Sequence, residues 1–172
     1  MSEEPGARPT IETMNLGRHQ RQRIAAYGLA RSGHEVMLIR VAGTAGRPST
    51  WWLPGGGLEF GETPEQCLTR EFAEETGTTP QVMGLLGVVS DVSRLRNEPV
   101  ELHSVRLIYE VEVQDHVLTA EANASTEQAE WVPVSHIQTM PLVPWLRNWL
   151  SSRDFVAATP MKRREMGRSD TA

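Results

Sequence analysis

The apolar residues of this chain fall in short blocks separated by glycine- and proline-rich breaks, and the period of the blocks changes along the sequence. Residues 24–30, IAAYGLA, make a run of strand length, and Ser32-Gly33 marks a turn. Residues 34–41, HEVMLIRV, are a second run rich in branched side chains, so the two read as a β-hairpin. After the loop AGTAGRPST at 42–50, Trp51-Trp52-Leu53 is a short strand closed by Pro54. Beyond Pro80 come VMGLLGVVSDV and, past a polar loop at 94–99, ELHSVRLIYEVEV. In the latter, Leu102, Ser104, Arg106, Ile108 and Glu110 alternate with His103, Val105, Leu107, Tyr109, Val111 and Val113, which predicts a strand with one face the more apolar. Residues 114–126 read as a polar connection and 130–134, EWVPV, as a short strand. Ser135-His136-Ile137 can begin a helix, and Pro141 and Pro144 frame another that carries Trp145 to Leu150 at helical spacing.

Between the two groups of strands the period lengthens. Thr63-Pro64-Glu65-Gln66 offers a capping hydroxyl, a proline at the first helical position and a Gln three residues after the cap, and Gly77 supplies the stop. Leu68, Phe72 and Thr76 then form a stripe that can pack on a sheet. Strands on both sides of one central helix, with a second helical segment near the end, predict an α/β domain with a mixed sheet and helices packed on it. The domain is expected over residues 21–152, between a flexible arm at 1–20 and a polar tail at 153–172.

Composition narrows the partners. A net charge of −5 argues against non-specific binding to nucleic acid or anionic membrane. A single cysteine, Cys67, leaves no internal disulfide and no cysteine-built zinc site, which suits a cytoplasmic location. No apolar run approaches the ~18 residues of a membrane span. The basic residues are nearly all arginine, with Lys162 the only lysine.

The chemistry concentrates in residues 53–78, LPGGGLEFGETPEQCLTREFAEETGT. The helix places Glu71, Glu74 and Glu75 within roughly a third of its circumference. Like charges at this spacing repel by about 0.2–0.5 kcal/mol per pair, so water or a cation must accommodate them. Mg²⁺ favours such oxygen ligands. The Gly55-Gly56-Gly57 turn can bring carbonyls to the same cation, or N–H groups to a phosphate, because no Cβ blocks the approach. Arg70 can orient Glu74 or face a phosphate, and Glu62 can bond back to the glycine turn or to Arg70.

Gly56, five residues, Glu62, seven residues, then Arg70-Glu71-Phe72-Ala73-Glu74-Glu75-Thr76-Gly77 resembles the Nudix hydrolase signature, G-x5-E-x7-R-E-U-x-E-E-x-G-U with U apolar. Two positions depart from it. Phe72 is aromatic where an aliphatic residue is usual, and Thr78 takes the final apolar place, where it is expected to loosen packing at the helix end. The flanking Trp52-Leu53-Pro54-Gly55 and Glu130-Trp131-Val132-Pro133 also fit the family. The resemblance implies an α/β/α sandwich with a loop-helix-loop motif, and hydrolysis of a nucleoside diphosphate linked to another moiety. It implies Glu74 and Glu75 as Mg²⁺ or Mn²⁺ ligands, Glu71 as a further ligand or base, and the Gly55 carbonyl as another ligand. Arg70 becomes an orienting partner and Glu62 a structural group.

Outside the signature, Glu98, Glu101, Glu127 and Glu130 are candidates for a further carboxylate, with Glu127 preferred. Gly56 and Trp52 are the candidate substrate contacts, Trp52 through stacking on a base, although packing is the commoner use of such a tryptophan. His34 reads as an exposed residue beside a turn, His103 as lining the sheet, Cys67 as an inert thiol, and Lys162-Arg163-Arg164 as a solvated basic cluster. The partner expected is a small nucleotide-type molecule, and a homodimer is compatible with the pattern. The alternative reading is a nucleotide-sensing domain that keeps the fold without catalysis, although such relatives usually have eroded signatures.

Overall fold

In the computed structural model, residues 19–44, 48–95, 98–114 and 126–152 are described. The expected arm, apart from residues 19 and 20, and the whole of the expected tail therefore lie outside the described residues, as does most of the 114–126 connection and the cluster at 162–164. The elements in order are β1 (His19–Ser32), β2 (Glu35–Val41), β3 (Thr50–Trp52), β4 (Gly55–Gly57), α1 (Pro64–Thr76), β5 (Gln81–Arg94), β6 (Val100–Glu112), β7 (Thr126–Pro133), a 3-10 turn (Val134–His136) and α2 (Pro144–Ser151). They build one mixed sheet in the order β3-β2-β1-β6-β5, with β4 paired to β1 and β7 to β2. One helix packs on each face, an α/β/α sandwich.

Strand β1 organises the sheet. It runs parallel to β6 from His19 to Ala30, antiparallel to β4 over Ala25–Tyr27, and antiparallel to β2 only at Arg31 and Ser32. The expected hairpin exists, therefore, but the two strands diverge just beyond the turn at Gly33. Most of β1 belongs to the glycine turn on one side and to β6 on the other.

The alternation along β6 is real, yet both of its faces are covered. Tyr109 and Val111 join Cys67, Leu68 and Phe72 of α1 in one core, while Ile108 joins Trp145, Leu146 and Trp149 of α2 in the other. The even-numbered face, expected to be the wetter one, buries Ser104 and Arg106 as well. Arg106 is tolerated there because its guanidinium pairs with Asp91 at 2.9 Å and lies over the Trp145 ring.

Helix α1 begins and ends as its sequence dictates. The Thr63 hydroxyl accepts from the Gln66 N–H, and the Gln66 side chain accepts from the Thr63 N–H. Gly77 closes the helix at φ 72°, left-handed backbone that glycine adopts without strain. Thr63→Ala removes one reciprocal bond at an exposed end. It is expected to cost about 1 kcal/mol in chemical denaturation, with kcat unchanged.

Both departures from the signature find a structural reason. Phe72 is fully buried, and its ring fills the space above Gly28 of β1, where a Cβ would stand 3.0 Å from the ring carbons. Thr78 does not loosen the helix end. It is buried, its hydroxyl lies 3.1 Å from that of Thr76, and its N–H donates to the Thr76 oxygen, so the polar group is satisfied inside.

Candidate active site

Helix α1 presents its carboxylates to the glycine turn because its apolar stripe fixes the rotation of the helix on β1, β2 and β6. With Leu68, Phe72 and Thr76 turned inward, Glu71 and Glu75 face β4. Glu75 is buried. Its Oε2 accepts from the Gly55 N–H at 2.8 Å, and its Oε1 accepts from the Thr126 hydroxyl at 3.3 Å. Burial pushes its carboxyl up to about 8. The Gly55 N–H pulls it back, Glu71 pushes it further up, the Thr126 hydroxyl pulls down, and Glu74 again adds to the rise.

Glu71 lies against Gly56. A Cβ on that glycine would stand 2.6 Å from both Glu71 oxygens, so the close approach requires glycine. Glu74 projects further out, its side chain 49% exposed. Among the described residues no three carboxylate, imidazole or thiol groups already converge on one point. The three glutamates share one neighbourhood but not yet one focus.

Arg70 holds this arrangement together. Its Nε and Nη2 grip the two Glu62 oxygens at 2.7 and 2.9 Å, and its Nη1 donates to Glu71 Oε1 at 2.9 Å. Glu74 stands at 3.7 Å from the same nitrogen, so Glu71 rather than Glu74 is the carboxylate that Arg70 chiefly steers. The guanidinium fork is occupied by carboxylates, which leaves it turned toward them and not toward a phosphate. The Arg70 fork, with help from the Glu59 N–H, holds the Glu62 carboxyl down to about 2. Of the two roles expected of it, Glu62 takes the one with Arg70; its other bond is to the Glu59 N–H, in the loop after the glycines and not in the glycine turn itself. Cys67, beneath these groups, has its thiol pushed up to about 11 by burial, with Glu62 and Glu71 adding to the rise. It is an inert thiol at neutral pH.

Glu127 is not brought to this cluster. On β7, Gln128 opposes Arg40 and Thr126 opposes Val41, so Glu127 is the extra residue of a β-bulge. Its carboxylate meets Arg40 at 3.3 Å and the Ser49 hydroxyl at 3.2 Å. The bulge instead puts Thr126 on the side of Met37 and α1, where it reaches Glu75. Thr126 carried no sequence signal, because its role depends on a register shift against β2. Glu98 pairs with Arg21 and Glu101 with Arg94, also away from Glu75.

Trp52 sits on the opposite face of the sheet, half-buried, with its indole N–H bonded to the Thr50 hydroxyl at 2.8 Å. Its ring lies 6.3 Å from Tyr27 and 6.0 Å from Trp145, and Tyr27 and Trp145 are 5.0 Å apart. This aromatic group adjoins a cleft of about 470 Å³ between β5 and α2, lined by residues that include Val89, Asp91, Trp145 and Asn148. This cleft thus lies beside the aromatic group, and the carboxylates lie across the sheet at the glycine turn. Tyr27, Asp91, Arg106 and Trp145 were not legible as site neighbours, since only the pairing of β1, β6 and β5 brings them together.

A mixed sheet sandwiched by two helices, with a glycine turn feeding a carboxylate-bearing helix, defines an α/β/α sandwich of the Nudix type. The NUDIX domain model matches residues 19–152, and the chain belongs to the Nudix family. It is 38% identical over 71 residues, 41% of each chain, to a Methanocaldococcus jannaschii protein named ADP-ribose pyrophosphatase. It is 43% identical over 61 residues to the Escherichia coli 8-oxo-dGTP diphosphatase, covering 35% of this chain and 47% of that one. The chain thus spans less than half the length of these relatives. A solved NUDIX hydrolase from Nitrosomonas europaea shares the fold, with a TM-score of 0.65 at 18% identity over 82% of this chain and 94% of its own. Among the described residues no helix is long and apolar enough to cross a membrane.

Proposed function

We propose that the chain is a metal-dependent pyrophosphohydrolase that cleaves the diphosphate of a nucleoside diphosphate linked to another moiety, by attack of water on phosphorus. The observation that carries this reading is Glu75, a buried carboxylate beside two more carboxylates and the glycine turn. In a folded protein such a group is costly unless a cation joins it. The donors are all oxygen, which suits Mg²⁺ or Mn²⁺ and not a thiolate-seeking metal. Glu74, Glu75 and the Gly55 carbonyl would hold the ion, with Glu71 as a further ligand or as base toward water. When bound, such a cation neutralises diphosphate oxygens and acidifies the attacking water.

The remaining work falls to the chain itself. Arg70 keeps the Glu71 carboxylate aimed at Gly56, and Glu62 fixes Arg70. Thr126 and the Gly55 N–H orient Glu75 from two sides. Gly56, buried against Glu71, brings that carboxylate up to the turn along which a phosphate would lie, and Trp52 lines the aromatic side proposed for a base.

The test is hydrolysis of a panel containing ADP-ribose, 8-oxo-dGTP, the ordinary nucleoside triphosphates and dinucleotides, with Mg²⁺ and with Mn²⁺. Those first two belong in it because the relatives are named for them. The expected result is turnover of at least one, lost with EDTA and reduced about 10²–10⁴-fold in Glu71→Gln and Glu74→Gln. Folded, metal-supplied protein that binds a nucleotide tightly and hydrolyses none of the panel would support a sensing domain instead.

A further inference from the structure

We propose that Arg23 binds a phosphate of the substrate, gripping the diphosphate at the glycine turn from the side opposite the carboxylates; this rests on the pyrophosphohydrolase reading above. Arg23 lies outside the signature, on β1, opposite Ser104 of β6. Its guanidinium lies across Gly57, so closely that a Cβ there would stand 2.9 Å from Nε and 3.1 Å from Nη2. Three successive glycines thus meet three different groups. Gly55 donates to Glu75, Gly56 abuts Glu71, and Gly57 abuts Arg23. A diphosphate laid along this turn has carboxylates near one phosphate and a guanidinium near the next.

The charge state of Arg23 sets it apart. Arg40, Arg70, Arg94 and Arg106 are each matched to a carboxylate. The Arg23 side chain is exposed and makes no hydrogen bond or ion pair with any described residue. None of its five N–H donors is taken by a described residue, and their planar fork matches phosphate oxygens two at a time. A diphosphate needs such a group here, because the carboxylates alone would repel it. Glu62, Glu71, Glu74 and Glu75 gather around a single matched cation, Arg70, so an incoming diphosphate meets net negative charge on the helix side. Among the described residues, Arg23 is a positive charge at the glycine turn that no carboxylate neutralises.

Strand register sets both groups at one turn: Ala25, Ala26 and Tyr27 pair with Gly57, Gly56 and Gly55, so the Arg23 contact at Gly57 and the Glu75 contact at Gly55 lie two residues apart on β4. Burial chiefly raises the Tyr27 hydroxyl, to about 12; Arg23 and Arg106 pull it down, while Glu75 and Glu71 push it up. Arg106 cannot do the same work, because Asp91 neutralises it and it is pinned over Trp145.

The test separates binding from turnover. Imidodiphosphate, whose P–N–P bridge resists hydrolysis, is titrated calorimetrically into Mg²⁺-loaded wild type, Arg23→Ala and Arg23→Lys. The expected result is a Kd raised about 10- to 100-fold in Arg23→Ala, a smaller rise in Arg23→Lys, and a weaker salt dependence in Arg23→Ala. On whichever substrate the wild type hydrolyses, KM should rise by a similar factor while kcat stays within about threefold. Equal Kd values and salt slopes in folded Arg23→Ala and wild type, or no imidodiphosphate binding by wild type, would overturn the proposal. Absence of turnover by wild type, with the Kd difference present, would instead sink the hydrolase reading and leave the phosphate site standing.

Discussion

Replacing Glu75 by glutamine should reduce kcat by about three orders of magnitude or more and yet raise the melting temperature of EDTA-treated protein at pH 8. The two effects have one cause. Glu75 is buried, with its folded-state carboxyl near 8 against an ordinary value of 4.5. Below pH 4.5 both folded and unfolded chains hold the proton, and the group contributes no difference. Between 4.5 and 8 the unfolded chain releases it while the folded chain keeps it, so stability falls as pH rises through that window. By pH 8 the loss is on the order of 2–4 kcal/mol, which corresponds to a melting temperature lower by about 5 °C or more. Glutamine cannot ionise, and its amide oxygen can still accept from the Gly55 N–H. Melting curves of both proteins in EDTA from pH 5 to 8 check this. The variant should gain on the wild type steadily with pH, and parallel curves would show that Glu75 carries no such strain.

Gly55→Ala is expected to be the most damaging alanine substitution among the glycines compared for the described residues. Gly55 sits at φ 133°, outside the range that L-residues adopt readily. Its added Cβ would overlap the Ala26 carbonyl oxygen and come within 2.8 Å of the Tyr27 Cα. Both obstacles are backbone of β1, locked between β4 and β6, so no side-chain rotation relieves them. A loss of about 3 kcal/mol or more follows. Activity should fall with it, since the displaced N–H is the one that holds Glu75. Gly61 supplies the comparison. It has φ 90° but open space around its Cβ position, so Gly61→Ala meets only local strain, about 1–2 kcal/mol. Denaturant titration of the two variants separates these costs, and a Gly55→Ala protein as stable as Gly61→Ala would refute the clash argument.

How much of this was readable beforehand follows from the range of the interactions. The helix, its caps at Thr63 and Gly77 and the clustering of Glu71 and Glu75 at the glycine turn depend on residues within about twenty positions of one another, and all were legible. The pairing of Arg70 with Glu62 was also within reach, although the preference of Arg70 for Glu71 over Glu74 was not. What escaped the sequence depends on strand register. Thr126 reaches Glu75 only because a bulge at Glu127 shifts β7 by one residue against β2, and the same shift sends Glu127 to Arg40. A one-residue slip exchanges the faces of a strand, and no local pattern records it. The burial of Arg106 was hidden for a similar reason. Its partner Asp91 lies on a neighbouring strand and its cover, Trp145, on the last helix. The cleft between β5 and α2 exists only once distant segments meet.

The contact between Phe72 and Gly28 has a consequence beyond packing. One residue lies in the catalytic helix and the other in the central strand, and the volume of each is set by the other. An aliphatic residue at 72 would leave a void over Gly28, whereas any larger residue at 28 would displace the ring and rotate the helix that carries Glu71 and Glu75. Neither position is free to drift alone. The aromatic residue at 72 and the glycine at 28 thus work as one steric unit, and the placement of Glu71 and Glu75 depends on a residue of the central strand that touches neither.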